Sequence, residues 1–182
     1  MKNSYTYQRY QRQIILPEFG TATQEKLFRA KVLVVGAGGL GCPALQYLSA
    51  AGVGTIGIID FDTIELSNLQ RQTLYSVDDI GKSKAQTSAE KLKAFNPEIQ
   101  VFSFNVKLDS TNALALINDF DIVIDGTDNF STRYLVNDAC VLLGKPLVYG
   151  AVLRFEGQVG VFNLADTITN IKTNYRDLFP EP

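Results

Sequence analysis

The stretch Lys31-Val-Leu-Val-Val-Gly-Ala-Gly-Gly-Leu-Gly41 constrains the fold more than any other part of this 182-residue chain. Its apolar run, Val32 to Val35, reads as a fully buried strand. Gly36, Gly38 and Gly41 then permit a tight bend, a close approach of backbone to phosphate, and helix-on-strand packing. Leu40, Ala44, Leu45 and Leu48 follow with helical spacing over 40–51. Strand, turn and helix together predict a phosphate-binding βα unit, whose helix N-terminus offers free N–H groups and a positive dipole end. Gly36, Gly38, Gly39 and Gly41 are therefore candidate nucleotide contacts. A strand over 55–60 ends in Asp60, a carboxylate placed to bind a ribose hydroxyl, with Asp62 just beyond it.

The rest of the chain alternates. An arm over 1–30 carries Tyr5, Tyr7, Tyr10, Arg9 and Arg12 and ends in a short helix over 24–30. After a polar segment, a helix over 82–95 puts Ala85, Ala89, Leu92 and Phe95 on one face. Strands are expected at 99–106, 121–125 and 146–150, with helices at 111–119 and 130–144 between them. Two short antiparallel strands are expected within 154–163, about Glu156-Gly157. This order predicts a single α/β domain over 1–182: a Rossmann-like, doubly wound, mostly parallel sheet with helices on both faces and a short antiparallel addition. The arm (1–30) leads into a nucleotide-binding core (31–163), and a C-terminal segment (164–182) follows.

Composition narrows the chemistry. The chain has no histidine, which removes the commonest general base and the commonest metal ligand. Cys42 and Cys140 are far apart and in no C-x-x-C pair, as expected of reduced core thiols in the cytoplasm. A net charge of -2 argues against a broad nucleic-acid surface, and the apolar runs are strand-length, so no membrane span is expected.

Ligands of open α/β sheets bind beyond the carboxyl ends of the strands. The turns expected there include Gly36–Gly41, Asp60–Asp62 and the residues after it, the end of strand 99–106, and Gly126–Asn129. Ser67-Asn68-Leu69-Gln70-Arg71-Gln72 is polar and carries a guanidinium, and Lys84 opens the following helix. A triphosphate needs more cationic help than a dinucleotide, so Arg71, Lys84 and a carboxylate at Asp128 favour ATP over NAD. Asp128 could instead cap the helix beginning near Phe130.

Several motifs together resemble the HesA/MoeB/ThiF family, bacterial relatives of ubiquitin-activating enzymes. They are Arg9-Tyr-Gln-Arg-Gln-Ile-Ile-Leu16, Gly36-Ala-Gly-Gly-Leu-Gly-Cys-Pro43, Asp60-Phe-Asp62, Leu66-Ser-Asn-Leu-Gln-Arg-Gln72, Gly81-Lys-Ser-Lys84, Gly126-Thr-Asp-Asn129 and Phe155-Glu-Gly-Gln158. The nearest likeness is to the molybdopterin-synthase and thiamine sulfur-carrier adenylyltransferases. The resemblance implies adenylylation, with MgATP, of the C-terminal glycine carboxylate of a ubiquitin-like sulfur carrier ending in Gly-Gly. It places Gly39 and Asp60 on the nucleotide, Asn68, Arg71 and Lys84 on the phosphates, and Asp128 on Mg²⁺ beside Asn129. It also implies a homodimer in which Arg12 reaches the neighbouring subunit's ATP.

Family members usually continue further, with two C-x-x-C pairs holding a structural zinc, a crossover loop and often a conjugating cysteine. The first pair is expected just before Leu178-Phe-Pro-Glu-Pro182, where this chain reads Asn174-Tyr-Arg-Asp177. No zinc is expected in this chain, and 164–182 reads as a truncated or degenerate end. A non-catalytic dimeric scaffold that binds nucleotide or carrier is the alternative from another class. An NAD(P)-dependent oxidoreductase is favoured by the glycine turn alone.

Overall fold

The computed structural model describes residues 4–181, with side chains from Tyr7 onward. The expected arm and domain include Met1–Asn3, Pro182 and the Tyr5 side chain, which lie outside the described residues. Three helices, α1 (Ser4–Arg9), α2 (Gln11–Ile14) and α3 (Gly20–Arg29), precede the sheet. Then come β1 (Lys31–Val35), α4 (Gly41–Ala51), β2 (Thr55–Ile59), α5 (Lys84–Phe95), β3 (Gln100–Phe104), α6 (Ala113–Asn118), β4 (Ile122–Asp125), α7 (Phe130–Leu143), β5 (Leu147–Leu153), β6 (Glu156–Phe162) and α8 (Tyr175–Leu178). Two 3₁₀ turns, Leu66–Asn68 and Val77–Asp79, shape the segment between β2 and α5.

The strands form one sheet in the order β3-β2-β1-β4-β5-β6, with β6 antiparallel and the other neighbours parallel. Alternation along the strands divides the core into two layers. Val32, Val34, Ile56 and Ile58 pack with Leu45 and Leu92 of α4 and α5, while Leu33, Val35, Ile59 and Val123 pack with Ile117 of α6 and Val136 of α7. Burying each large aliphatic side chain contributes roughly 1.5–3 kcal/mol, so the strands that carry the site sit on the best-buried part of the molecule. Cys42 and Cys140 are both free and buried in these layers.

The antiparallel addition differs from the expectation. β6 does not pair with another strand inside 154–163; it pairs with β5 over seven positions, from Leu147↔Phe162 to Leu153↔Glu156. The turn is Arg154-Phe155, with Arg154 at φ +55. Phe155-Glu-Gly attracts the turn in the sequence, but β-ladder pairing continues to Leu153 and forces a two-residue connection with a left-handed first residue. Phe95 also departs from the expected helix face. It is 55% exposed, lies under the Arg9 guanidinium at 5.8 Å, and yields its inward place to Asn96.

Two glycines fix the join between β1 and α4. Gly36 adopts φ +90 with the Gly126 carbonyl close by, and a Cβ on Gly41 would sit 1.9 Å from the Gly36 oxygen. Gly41→Ala should therefore push α4 off the sheet, at about 3 kcal/mol and a melting temperature lower by roughly 6–12 °C. Gly157→Ala, whose Cβ would meet only the Ala151 oxygen at 4.0 Å, should melt with the wild type in the same calorimetric scans.

Candidate nucleotide-binding site

The strand order reverses between β1 and β4, and the loops after those two strands open a cavity of about 960 Å³. Gly38, Gly39 and Leu40 lie on its wall, and among the described residues their N–H groups have no partner. They are free donors at the N-terminus of α4, where an anion is favoured. Asp60 braces this turn from below: its Oδ2 accepts the Ala37 N–H at 2.7 Å and its Oδ1 accepts the Asp62 N–H at 2.8 Å. Burial pushes the Asp60 carboxyl above its ordinary pKa, against those two N–H donations and the nearby Lys84 ammonium. The Tyr75 hydroxyl holds the other side of the turn, donating to the Ala37 carbonyl at 2.9 Å.

Cations line the same cavity as the free amides. The aliphatic stem of Arg71 lies over Gly39, where a Cβ would meet its Cδ at 3.4 Å, and its Nη1 donates to the Ser67 carbonyl at 3.2 Å. Lys84 is buried at the start of α5, its Nζ 2.8 Å from Asp62 Oδ2. An antiparallel bridge between Thr63 and Ser83 aligns the two chains that carry this pair. Asp128 lies on the cavity wall with its side chain exposed and, among the described residues, unpaired. The cap of α7 is Asn129, whose Oδ1 accepts the Thr132 N–H at 2.9 Å, so Asp128 is released from that duty.

Of the expected site residues, Gly36, Gly38, Gly39, Asp60, Asp62, Asn68, Arg71, Lys84, Asp128 and Asn129 all line this one cavity. Gly41, Ser67, Leu69 and Gln70 do not. Gly41 is buried behind the turn, Leu69 packs on the core, and Ser67 supports Arg71 through its carbonyl. Arg12 is exposed on α2 and is not part of the wall.

The far half of the cavity was not anticipated. Asp125 ends β4 fully buried, its Oδ1 accepting from the Thr127 N–H at 2.9 Å and hydroxyl at 2.6 Å. Burial raises the Asp125 carboxyl above its ordinary pKa, opposed by Thr127 and the Arg133 charge. Arg133 Nε lies 3.7 Å from Asp125 Oδ2, and its guanidinium sits over the Tyr149 and Phe130 rings at 4.9 and 5.4 Å. Arg133, Tyr149, Gln158, Tyr175 and Phe179 carry the wall toward β6. The sequence held one usable signal for this half: a carboxylate closing an otherwise apolar strand needs a partner in the fold.

The arrangement can hold a polyanion at the glycine turn and admit a second, extended group along β5 and β6. A sequence profile of the ThiF family matches residues 10–182. The chain is 54% identical over 174 residues to the probable adenylyltransferase/sulfurtransferase MoeZ of Mycobacterium tuberculosis, covering 96% of this chain and 44% of that protein. It is 53% identical over 174 residues to the sulfur carrier protein adenylyltransferase of Thermus thermophilus, covering 96% and 64%. The crystal structure of E. coli MccB with ATP matches at a TM-score of 0.68 and 34% identity, covering 72% of this chain and 39% of that one. The chain spans about half the length of these curated relatives. By its profile, its relatives and its Rossmann-like sheet, the chain belongs to the ThiF family.

Proposed function

We propose that this chain binds ATP at the glycine turn and adenylylates the C-terminal glycine carboxylate of a ubiquitin-like sulfur carrier. One observation carries the reading: Arg71, Lys84 and Asp128 line the same cavity as Gly38 and Gly39, whose backbone N–H groups have no partner among the described residues. The names of the T. thermophilus relative and of the ATP-bound E. coli MccB support it. The nucleotide occupies the β1 end of the cavity, with its ribose at Asp60 and its phosphates between the glycine turn, Asn68, Arg71 and Lys84. The carrier tail enters along β5 and β6.

In the reaction a carboxylate oxygen of the tail forms a bond to the α-phosphorus. The bond from the α-phosphorus to the bridging oxygen breaks, and pyrophosphate leaves with that electron pair. The nucleophile is already ionised at neutral pH, so no general base is required and a chain with no histidine can perform the step. What the protein supplies is alignment, together with positive charge where negative charge accumulates. Mg²⁺ takes one or two carboxylates, with phosphate oxygens and water completing its shell. The free Asp128 carboxylate fits that demand, although the described residues hold no cluster of three acidic or thiol donors. When bound, the ion neutralises phosphate charge. Arg12 of the partner subunit completes the site in a homodimer, in keeping with its exposed place on α2 away from its own cavity. The two buried free thiols suit a reducing cytoplasm.

Asp128→Ala and Lys84→Ala should each lower carrier-dependent ATP–pyrophosphate exchange by about 10²-fold or more, the scale of losing one preorganised charge. Asp128→Ala should melt as the wild type does; unchanged exchange would remove its metal role. Mixing Arg12→Ala with Lys84→Ala subunits should restore about a quarter of the exchange, because half of randomly paired dimers carry one intact site. No recovery in the mixture would place Arg12 outside its neighbour's site.

A further inference from the structure

The ThiF resemblance implies a zinc held by C-x-x-C pairs, and residues 174–177 are where the first pair is expected. The donor set does not fit. A Cys₄ zinc needs four thiolates, and the only two cysteines here, Cys42 and Cys140, are buried within the core layers. Asn174 and Asp177 are instead engaged with each other. Asp177 Oδ2 accepts the Asn174 backbone N–H at 2.7 Å and its side-chain amide at 2.9 Å. Asn174 Oδ1 in turn accepts the Arg176 N–H at 2.9 Å, which completes the cap of α8.

Asn174, Tyr175 and Arg176 are tied to α7. Asn137, buried on α7, accepts the Tyr175 N–H at 2.8 Å. Arg176 makes a bidentate pair with Asp138, Nε and Nη2 each 2.7 Å from a carboxylate oxygen, and lies over the Tyr134 ring at 4.6 Å. The Tyr134 hydroxyl sits 2.9 Å from the Phe179 carbonyl oxygen and 2.6 Å from that of Glu181. These ties hold the Tyr175 ring, 2% exposed, among Tyr134, Tyr149, Phe162 and Phe179 at centroid distances of 4.8 to 5.8 Å. Tyr175 and Phe179 also line the cavity, on its β5 side.

We propose that Asn174, Arg176 and Asp177 form a metal-free clasp on α7, and that through it Tyr175 and Phe179 act as positioning residues for the group that enters along β5 and β6. The clasp stands on its own contacts; the identity of the entering group, the carrier tail, rests on the function proposed above. A hydrogen-bonded cap, a bidentate ion pair and a buried aromatic side chain together replace what a metal would do for this segment.

Amide hydrogen exchange on the full chain tests the clasp without reference to activity. Arg176→Ala and Asp177→Ala should each raise exchange over residues 174–179 by about tenfold or more, leaving β1 and β4 unchanged. The charge swap Asp138→Arg with Arg176→Asp should restore protection. Neither EDTA nor added zinc chloride should alter wild-type exchange. In pyrophosphate exchange the single variants should raise the KM for the carrier by about tenfold, with kcat and the KM for ATP within about twofold. Unaltered exchange in both single variants, or wild-type loosening by EDTA on the same scale, would overturn the clasp. A loosened segment with an unmoved carrier KM would overturn the positioning role. A wild type that shows no pyrophosphate exchange would sink the proposed function, while the hydrogen-exchange result would still decide the clasp.

Discussion

At the end of β1, backbone meets backbone with no room for side chains. The Gly36 N–H donates to the Ile59 carbonyl at 2.8 Å and the Gly126 N–H donates to the Val35 carbonyl at 2.9 Å. The Gly36 carbonyl then abuts Gly41, the first residue of α4. Three strand ends and one helix start are thereby fixed within a few ångströms. The free N–H groups of Gly38, Gly39 and Leu40 are a consequence, because the bend has no spare carbonyl for them. Asp60 completes the arrangement by accepting from Ala37, so the carboxylate proposed to bind the ribose also holds the turn in shape. Its oxygens retain further acceptor capacity for a hydroxyl group.

Burial decides how charge is distributed around that turn. Asp60 and Asp125 both lie at the carboxyl ends of central strands, where desolvation disfavours their ionised forms; Asp60 is stabilised by two N–H donors and Asp125 by the N–H and hydroxyl of Thr127, each with a cation nearby. The cations are held in different ways. Lys84 is buried and paired with Asp62, whereas Arg71 is exposed and, among the described residues, tethered only by the Ser67 carbonyl. A polyanion entering the cavity therefore meets one fixed ammonium and one guanidinium free to adjust. Such a division suits the proposed reaction, in which the terminal phosphates depart while the α-phosphate stays.

Much of this was legible in the sequence, for physical reasons that can be named. Val32–Val35 and the glycines after it have few alternatives, since an apolar run followed by four glycines within six residues fits neither an amphipathic helix nor a solvated loop. Asp60, Lys84 and Asp128 were legible as residues of one cavity because each closely follows a strand end or opens the next helix, and Arg71 because it lies in the polar segment that follows β2. The hairpin was misread because Phe155-Glu-Gly carries turn-like residues, whereas the register of β5 with β6 depends on tertiary pairing that no local pattern records. Arg133 was invisible for a related reason. On its helix it is one polar residue among several, and only the fold brings it to Asp125 and the Tyr149 ring.

The end of the described chain follows the same logic. Asn174-Tyr-Arg-Asp177 first registers as a departure, four residues in a place where thiolates are expected. In three dimensions the two outer residues cap α8, the arginine pairs with Asp138 and the tyrosine fills the aromatic layer beside the cavity. Each residue of the tetrapeptide thus has a contact of its own, and the inner pair faces opposite ways, Arg176 to solvent and Tyr175 to the core. A segment eroding after loss of a metal would be expected to leave polar atoms unmatched at the helix cap. Here both polar side chains at that cap are matched within the segment itself, so the substitution of the pair and the docking of Tyr175 form one coherent solution.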